Sequence, residues 1–245
     1  MRNIKLTIEY DGKDFNGWQK QPNKLNIQGT IEQAIKMITG EDVELNASGR
    51  TDAGVHAFGQ VANFKTNSQI PIDKFAIAIN SRLKKSIVIK KAEEVDERFH
   101  SRLNCKRKTY RYVINNSPEG TAIYRNLETH IPQKLDVEAM KKAVKYFEGE
   151  HDFKAFKASG TSSKSSVRTI YEAKVYQSGD RIFIELTGNG FLYNMVRIIA
   201  GTLVEVGLEK IEAEKIPDII QSKKRENAGK TLPPNGLYLL QVEYN

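Results

Sequence analysis

A chain of 245 residues with a net charge of +8, 39% hydrophobic residues, ten phenylalanines and ten tyrosines has the material for one large or two small globular domains. Its single cysteine, Cys105, excludes an intrachain disulfide, and four scattered histidines give no zinc-type spacing. No apolar run is long enough to span a bilayer, so a soluble, reducing, cytoplasmic setting is the default, and the basic balance favours a polyanionic partner.

The chain opens with polar and apolar residues in alternation. Ile4, Leu6, Ile8 and Tyr10 share one face, which reads as a strand and not as a signal peptide. Asp11-Gly12 ends it. Gly29-Thr30 opens a helix with Ile31, Ala34, Ile35 and Ile38 on one side, closed by Gly40. Residues 44–47 read as a strand running into the loop Ser48-Gly49-Arg50-Thr51-Asp52-Ala53-Gly54-Val55-His56-Ala57, and residues 60–64 as the strand after it. Residues 72–79 read as helix, and residues 87–95 and 110–114 as extended.

A second unit repeats this alternation. Residues 136–147 carry Val137, Met140, Val144 and Phe147 at helical spacing, with Gly149 beyond. Residues 171–176 and 181–186 read as strands paired through Ser178-Gly179-Asp180. Residues 191–206 read as a long buried helix, and 237–243 as the last strand. The class is α+β, with a boundary near residue 105 that divides the chain into 1–105 and 106–245. No long linker separates the halves, so tight packing between them is expected.

Between Arg98 and Arg111 lie Arg98, Arg102, Lys106, Arg107, Lys108 and Arg111, with His100 and no acid. A solvated basic face has the same composition. Here Phe99, Tyr110 and Tyr112 are interleaved, which suits phosphate contacts combined with stacking on unpaired bases.

The loop 48–57 sets Asp52 between two glycines and two residues from Arg50. Its composition also fits a surface turn in which Asp52 bonds only to neighbouring amides. The residue order separates the two readings. Ser48-Gly49-Arg50-Thr51-Asp52-Ala53-Gly54-Val55-His56 resembles the catalytic motif of the tRNA pseudouridine synthase A family. Phe15-Asn16-Gly17-Trp18-Gln19 resembles the family's N-terminal signature. Lys108-Thr109-Tyr110-Arg111-Tyr112 is similar to its active-site tyrosine segment, and Gly188-Asn189-Gly190-Phe191-Leu192-Tyr193-Asn194-Met195-Val196-Arg197 to its C-terminal motif. Pro233-Pro234-Asn235-Gly236-Leu237-Tyr238-Leu239 resembles the closing motif, with Asn235 where the family usually has His.

The resemblance implies two similar α/β lobes forming one extended, mostly antiparallel sheet, with a central basic cleft. It implies an isomerase acting on uridines 38, 39 and 40 of the tRNA anticodon stem-loop, working as a homodimer, with no cofactor and no metal. Breaking an N-glycosidic bond and rejoining the base through C5 is redox-neutral, and one carboxylate suffices as nucleophile. Asp52 takes that role, either attacking C1′ or promoting a glycal. A carboxylate in a closed cleft needs a guanidinium to stay ionised and oriented. The resemblance assigns that partner to Arg197. An arginine in so apolar a segment is costly without a partner, although a structural ion pair would also satisfy it.

Tyr110 is assigned to stack on the flipped uracil and help move the C5 proton. Tyr110 and Tyr112 share a sheet face, so periodicity alone does not separate them. Arg50, His56, Arg107, Lys108 and Arg111 complete the substrate-binding set, with a packing role for His56 left open. Trp18 reads as a core or loop anchor. His151-Asp152-Phe153 is not a catalytic pair, since no nucleophile motif accompanies it. Residues 159–168, with Lys164 and Arg168, read as a mobile loop beside RNA. The alternatives are a synthase with another RNA target and a non-catalytic tRNA-binding protein.

Overall fold

The computed structural model describes residues 1–160 and 165–244. In chain order these form β1 (Arg2–Tyr10), α1 (Ile27–Thr39), β2 (Asn46–Ala47), β3 (His56–Thr66), α2 (Ile72–Asn80), β4 (Ile87–Val95), β5 (Arg107–Asn115), β6 (Thr129–His130), α3 (Val137–Lys145), β7 (Gly149–Asp152), β8 (Val167–Ser178), β9 (Arg181–Gly188), α4 (Met195–Gly207), α5 (Ile216–Ser222) and β10 (Leu237–Glu243). The class is the expected α+β. The chain divides into two compact units, residues 1–106 with 238–245, and residues 107–237. The last strand therefore returns to the first unit.

In the first unit the strand order is β4-β1-β3-β10, with β2 added to β3. β1 pairs antiparallel with β3 and β4, and β10 runs parallel to β3. The alternation of β1 does what its sequence demands. Ile4, Leu6 and Ile8 are fully buried and Tyr10 nearly so, while Lys5 and Glu9 lie outside and pair with Glu93 and Lys90. Helix α1 begins earlier than expected because the Asn26 side chain accepts from Gly29 N–H at 2.8 Å, so Gly29 lies inside the first turn. Gly40, at φ +75°, closes it as expected. Strand β2 is shorter than expected. Two α1 side chains take the backbone of Leu45 instead: Glu32 accepts its N–H at 3.1 Å and Gln28 donates to its carbonyl at 3.3 Å.

In the second unit the strand order is β5-β9-β8-β7, with β6 alongside β5. Asp136 caps α3 by accepting from Ala139 N–H at 2.9 Å. The pairing of β8 with β9 closes through Ser178-Gly179-Asp180, with Gly179 at φ +58°. His151-Asp152 is structural. Asp152 accepts from Lys154 N–H and Ser166 Oγ and pairs with Lys223 at 2.9 Å, which holds its carboxyl below the usual range, the Ser166 bond contributing most. The expected helix over 191–206 begins only at Met195. Asn194 is left-handed at φ 60°, and residues 191–194 form the turn that leads in. Of the loop expected over 159–168, residues 161–164, including Lys164, lie outside the described residues.

Candidate active site

The Asp52 loop joins β2 to β3 and is fastened to the first unit from three sides. Tyr10, the last residue of β1, places its hydroxyl 2.7 Å from Thr51 Oγ1. Burial pushes that phenol up to about 12, so it is held as a neutral hydroxyl. Gln60 of β3 accepts from Ser48 Oγ at 2.7 Å and donates to the Gly49 carbonyl at 2.9 Å. Trp18 N–H donates to the Thr51 carbonyl at 3.0 Å. The close approach of that segment requires Gly17. A Cβ there would stand 2.6 Å from the Thr51 oxygen, and φ is +80°. Gly12 is as tightly constrained, since a Cβ would fall 1.9 Å from the Val55 oxygen.

Along this loop Ser48 and Thr51 face inward and are buried, Arg50 is exposed and Asp52 is half-buried. His56 is only 2% exposed. Its Nδ1 lies 3.1 Å from both Gly12 N–H and Asp11 Oδ1, and its ring stacks on Tyr238 at 4.9 Å. Neutral, Nδ1 accepts from Gly12; protonated, it donates to Asp11. Either form packs the end of the loop against β10.

The second unit positions Tyr110 and Arg197. Tyr110 lies on β5 opposite Leu186 and meets the Phe191 ring edge-on at 5.0 Å. Tyr112, two residues on, is fully buried. Its hydroxyl is bonded to Thr129 Oγ1 at 2.5 Å and to the Pro233 carbonyl at 2.7 Å, so it is committed to the core. Arg197 sits in the first turn of α4. Its Nε donates to the Leu232 carbonyl at 2.7 Å and its Nη1 to Asn194 Oδ1 at 2.8 Å. Asn194 stands at the N-cap position but makes no capping bond there. Its left-handed backbone does not suit a capping bond, and its side chain instead accepts from the guanidinium. The backbone that Arg197 grips reaches α4 because residue 201 is glycine, where a Cβ would lie 1.8 Å from the Lys230 oxygen. Asn235, the departure from the family motif, donates to the carbonyls of Arg125 and Glu128.

The basic residues between 98 and 111 fall into two groups. Arg111 forms an ion pair with Glu185 at 2.6 Å and lies over Phe183, and Arg107 lies 4.8 Å from the centre of the Tyr171 ring. Strand alternation puts both on the sheet face opposite Tyr110, with Lys108 on Tyr110's face. Arg98, Arg102 and Lys106 are exposed and make no ion pair among the described residues. Their loop is nonetheless well fastened, through Ser101 to Asn63 Oδ1 at 2.6 Å and Lys106 N–H to the Glu243 carbonyl at 2.9 Å. Phe99 packs edge-on against Tyr244 at 4.9 Å, as Tyr110 does against Phe191.

The sequence-predicted residues thus divide between the units: Arg50, Asp52 and His56 in the first, Arg107, Lys108, Tyr110, Arg111 and Arg197 in the second. Sequence reasoning missed Tyr10, Ser48 and Gln60 beneath the loop and Asn194 beside Arg197. The available signal was Gln60, a glutamine on the strand face it shares with Ala62 and Phe64.

A family model described as tRNA pseudouridine synthase matches residues 6–104 and 143–245. The chain is 54% identical over 244 residues to the tRNA pseudouridine synthase A of Acetivibrio thermocellus, with 100% of both chains covered. It is 55% identical over 244 residues to that of Caldicellulosiruptor saccharolyticus and 53% identical to the tRNA pseudouridine synthase A 2 of Clostridium perfringens, again with both chains covered in full.

Proposed function

The chain belongs to the tRNA pseudouridine synthase family, and from that premise we propose that it isomerises uridines 38, 39 and 40 of the tRNA anticodon stem-loop. The enzyme converts uridine in tRNA to pseudouridine. Asp52 is the nucleophile. It opens the N-glycosidic bond by attack at C1′ or by promoting a glycal, while the detached uracil turns to present C5. Arg197 is the partner that keeps the carboxylate ionised and oriented. Tyr110 stacks on the flipped base and assists loss of the C5 proton.

The observation that supports the site assignment best is the loop 48–55. Its buried polar side chains, Ser48 and Thr51, bond to Gln60 and Tyr10, while Arg50 is exposed and Asp52 half-buried. Arg50 helps extrude the nucleotide, His56 holds the loop end, and Lys108 shares the sheet face of the base-stacking tyrosine, with Arg107 and Arg111 on the opposite face as further RNA contacts of the substrate-binding set. The protein acts as a homodimer in the cytoplasm. Three neighbouring targets suit a protein that reads backbone and shape. Mapping pseudouridine in an unmodified tRNA after treatment tests this. Modification confined to 38–40 is expected; modification elsewhere means another RNA target, and none at all means a tRNA-binding protein without activity.

Phosphate contacts are assigned to Arg98, Arg102 and Lys106, because their charges are not already neutralised. Arg98→Ala and Arg102→Ala should each lower the slope of log affinity against log salt by about 0.7–0.9. Arg111→Ala, which removes a cation already paired with Glu185, should leave that slope nearly unchanged. Equal slopes for all three variants and the wild type would contradict the assignment.

A further inference from the structure

The fastening beneath the Asp52 loop has a consequence for catalysis. Tyr10, Ser48, Thr51 and Gln60 form one buried polar cluster, each 7% exposed or less. The Gln60 carboxamide is fully used. Its oxygen accepts from Ser48 Oγ at 2.7 Å and from Val61 N–H at 3.1 Å, and its nitrogen donates to the Gly49 carbonyl. The Tyr10 hydroxyl bonds to Thr51 Oγ1 at 2.7 Å. The Thr51 carbonyl is held separately by Trp18 N–H. The segment on the N-terminal side of Asp52 is therefore held by three bonds at two residues, Gly49 through Gln60 and Thr51 through Trp18 and Tyr10, with Arg50 exposed between them. On the C-terminal side, Val55 N–H returns to the Asp52 carbonyl at 3.1 Å.

Tyr10 and Gln60 lie on neighbouring strands, β1 and β3, which are the most deeply buried strands of the first unit. A loop tied to them inherits their rigidity. Buried polar networks of this kind are costly unless every member is satisfied, and this one is, with no orphaned side-chain atom among the described residues. A simple loop anchor needs only one such bond.

We propose that Tyr10, Thr51 and Gln60 are positioning residues for the pseudouridine-forming step. Through the backbone at 49–51 they fix the direction from which the Asp52 carboxylate meets the sugar or base. They do not touch RNA. The proposal rests on the reading of Asp52 as nucleophile.

Three variants test it, each assayed for kcat, KM for tRNA, tRNA Kd and thermal midpoint. Thr51→Val is nearly isosteric and deletes the hydroxyl. Thr51→Ser keeps it. Tyr10→Phe removes the partner from the other side. A misplacement of about 1 Å costs roughly 100-fold in rate. Thr51→Val and Tyr10→Phe should therefore lose roughly 10- to 100-fold in kcat, with KM and Kd within about twofold of wild type. Thr51→Ser should recover most of the rate. A merely structural role would lower the thermal midpoint of Thr51→Val and leave kcat intact below it, and that result would overturn the proposal. So would a Thr51→Ser variant as slow as Thr51→Val, since the methyl group and not the hydroxyl would then matter. If Thr51→Val does not fold, Tyr10→Phe carries the same two outcomes. An Asp52→Asn protein that still turns over would instead overturn the nucleophile assignment, so the two failures are distinguishable.

Discussion

Replacing Asp52 with asparagine leaves a protein that folds and holds tRNA but makes no pseudouridine. The change is isosteric, and Asp52 is half-buried on a loop whose fastening involves Tyr10, Ser48, Thr51 and Gln60. The bonds made by Tyr10, Ser48, Thr51 and Gln60 remain in the variant, so the fold should survive. The tRNA phosphates are met by cations elsewhere, so affinity should survive or rise slightly as a negative charge near the RNA is removed. An amide is a far poorer nucleophile than a carboxylate and cannot take its place in either route. Loss of turnover by about 10⁴-fold or more is expected. Filter binding and pseudouridine yield on one protein preparation check both halves. Retained turnover would remove Asp52 from the chemistry.

Arg197→Met should cost both activity and stability, in proportions that identify what the guanidinium does. Methionine fits the apolar α4 helix, so packing is largely kept. The Leu232 carbonyl and the Asn194 carboxamide lose their donor. Leaving such groups unpaired costs about 1–3 kcal/mol, less here because the side chain is only part-buried. If Arg197 served only this anchoring, turnover below the thermal midpoint would stay near normal. As the partner of Asp52 its loss should reduce kcat by about 10²–10³-fold, comparable to removing one charge-stabilising donor. Arg197→Lys should not rescue the rate, since a single ammonium cannot meet Leu232, Asn194 and a carboxylate together. Chemical denaturation alongside steady-state kinetics separates the two contributions.

Much of this was readable from the chain because local patterns and local chemistry agree. The alternation Ile4, Leu6, Ile8, Tyr10 marks β1, and Gly40 and Asp136 mark helix ends by their own backbone and capping chemistry. Asp52 stands out by the residue order of its loop, and Arg197 as a cation in an apolar segment. Less readable were features decided by partners distant in sequence. Strand β2 stops short because Gln28 and Glu32, on a helix, capture Leu45. Helix α4 starts late because the backbone of Asn194 is left-handed, at φ 60°. The short strands β6 and β7 are too brief to carry a period. Tyr112 and Tyr110 share one alternation, and only the partners of Tyr112, Thr129 and Pro233, commit it to the core. Of the run of cations from 98 to 111, composition treats all alike, whereas Glu185 removes Arg111 from the freely available set.

The central claim is that the protein does chemistry on uridine and does not merely bind tRNA. It is tested most directly by tritium release from tRNA labelled at uridine C5, with the protein in excess so that one round goes to completion. Forming the new C5–C1′ bond expels that hydrogen, so each pseudouridine made should release one tritium to water. Release that plateaus at the number of target uridines per tRNA is the predicted result. Full binding of the labelled tRNA with no release above the protein-free control would contradict the account.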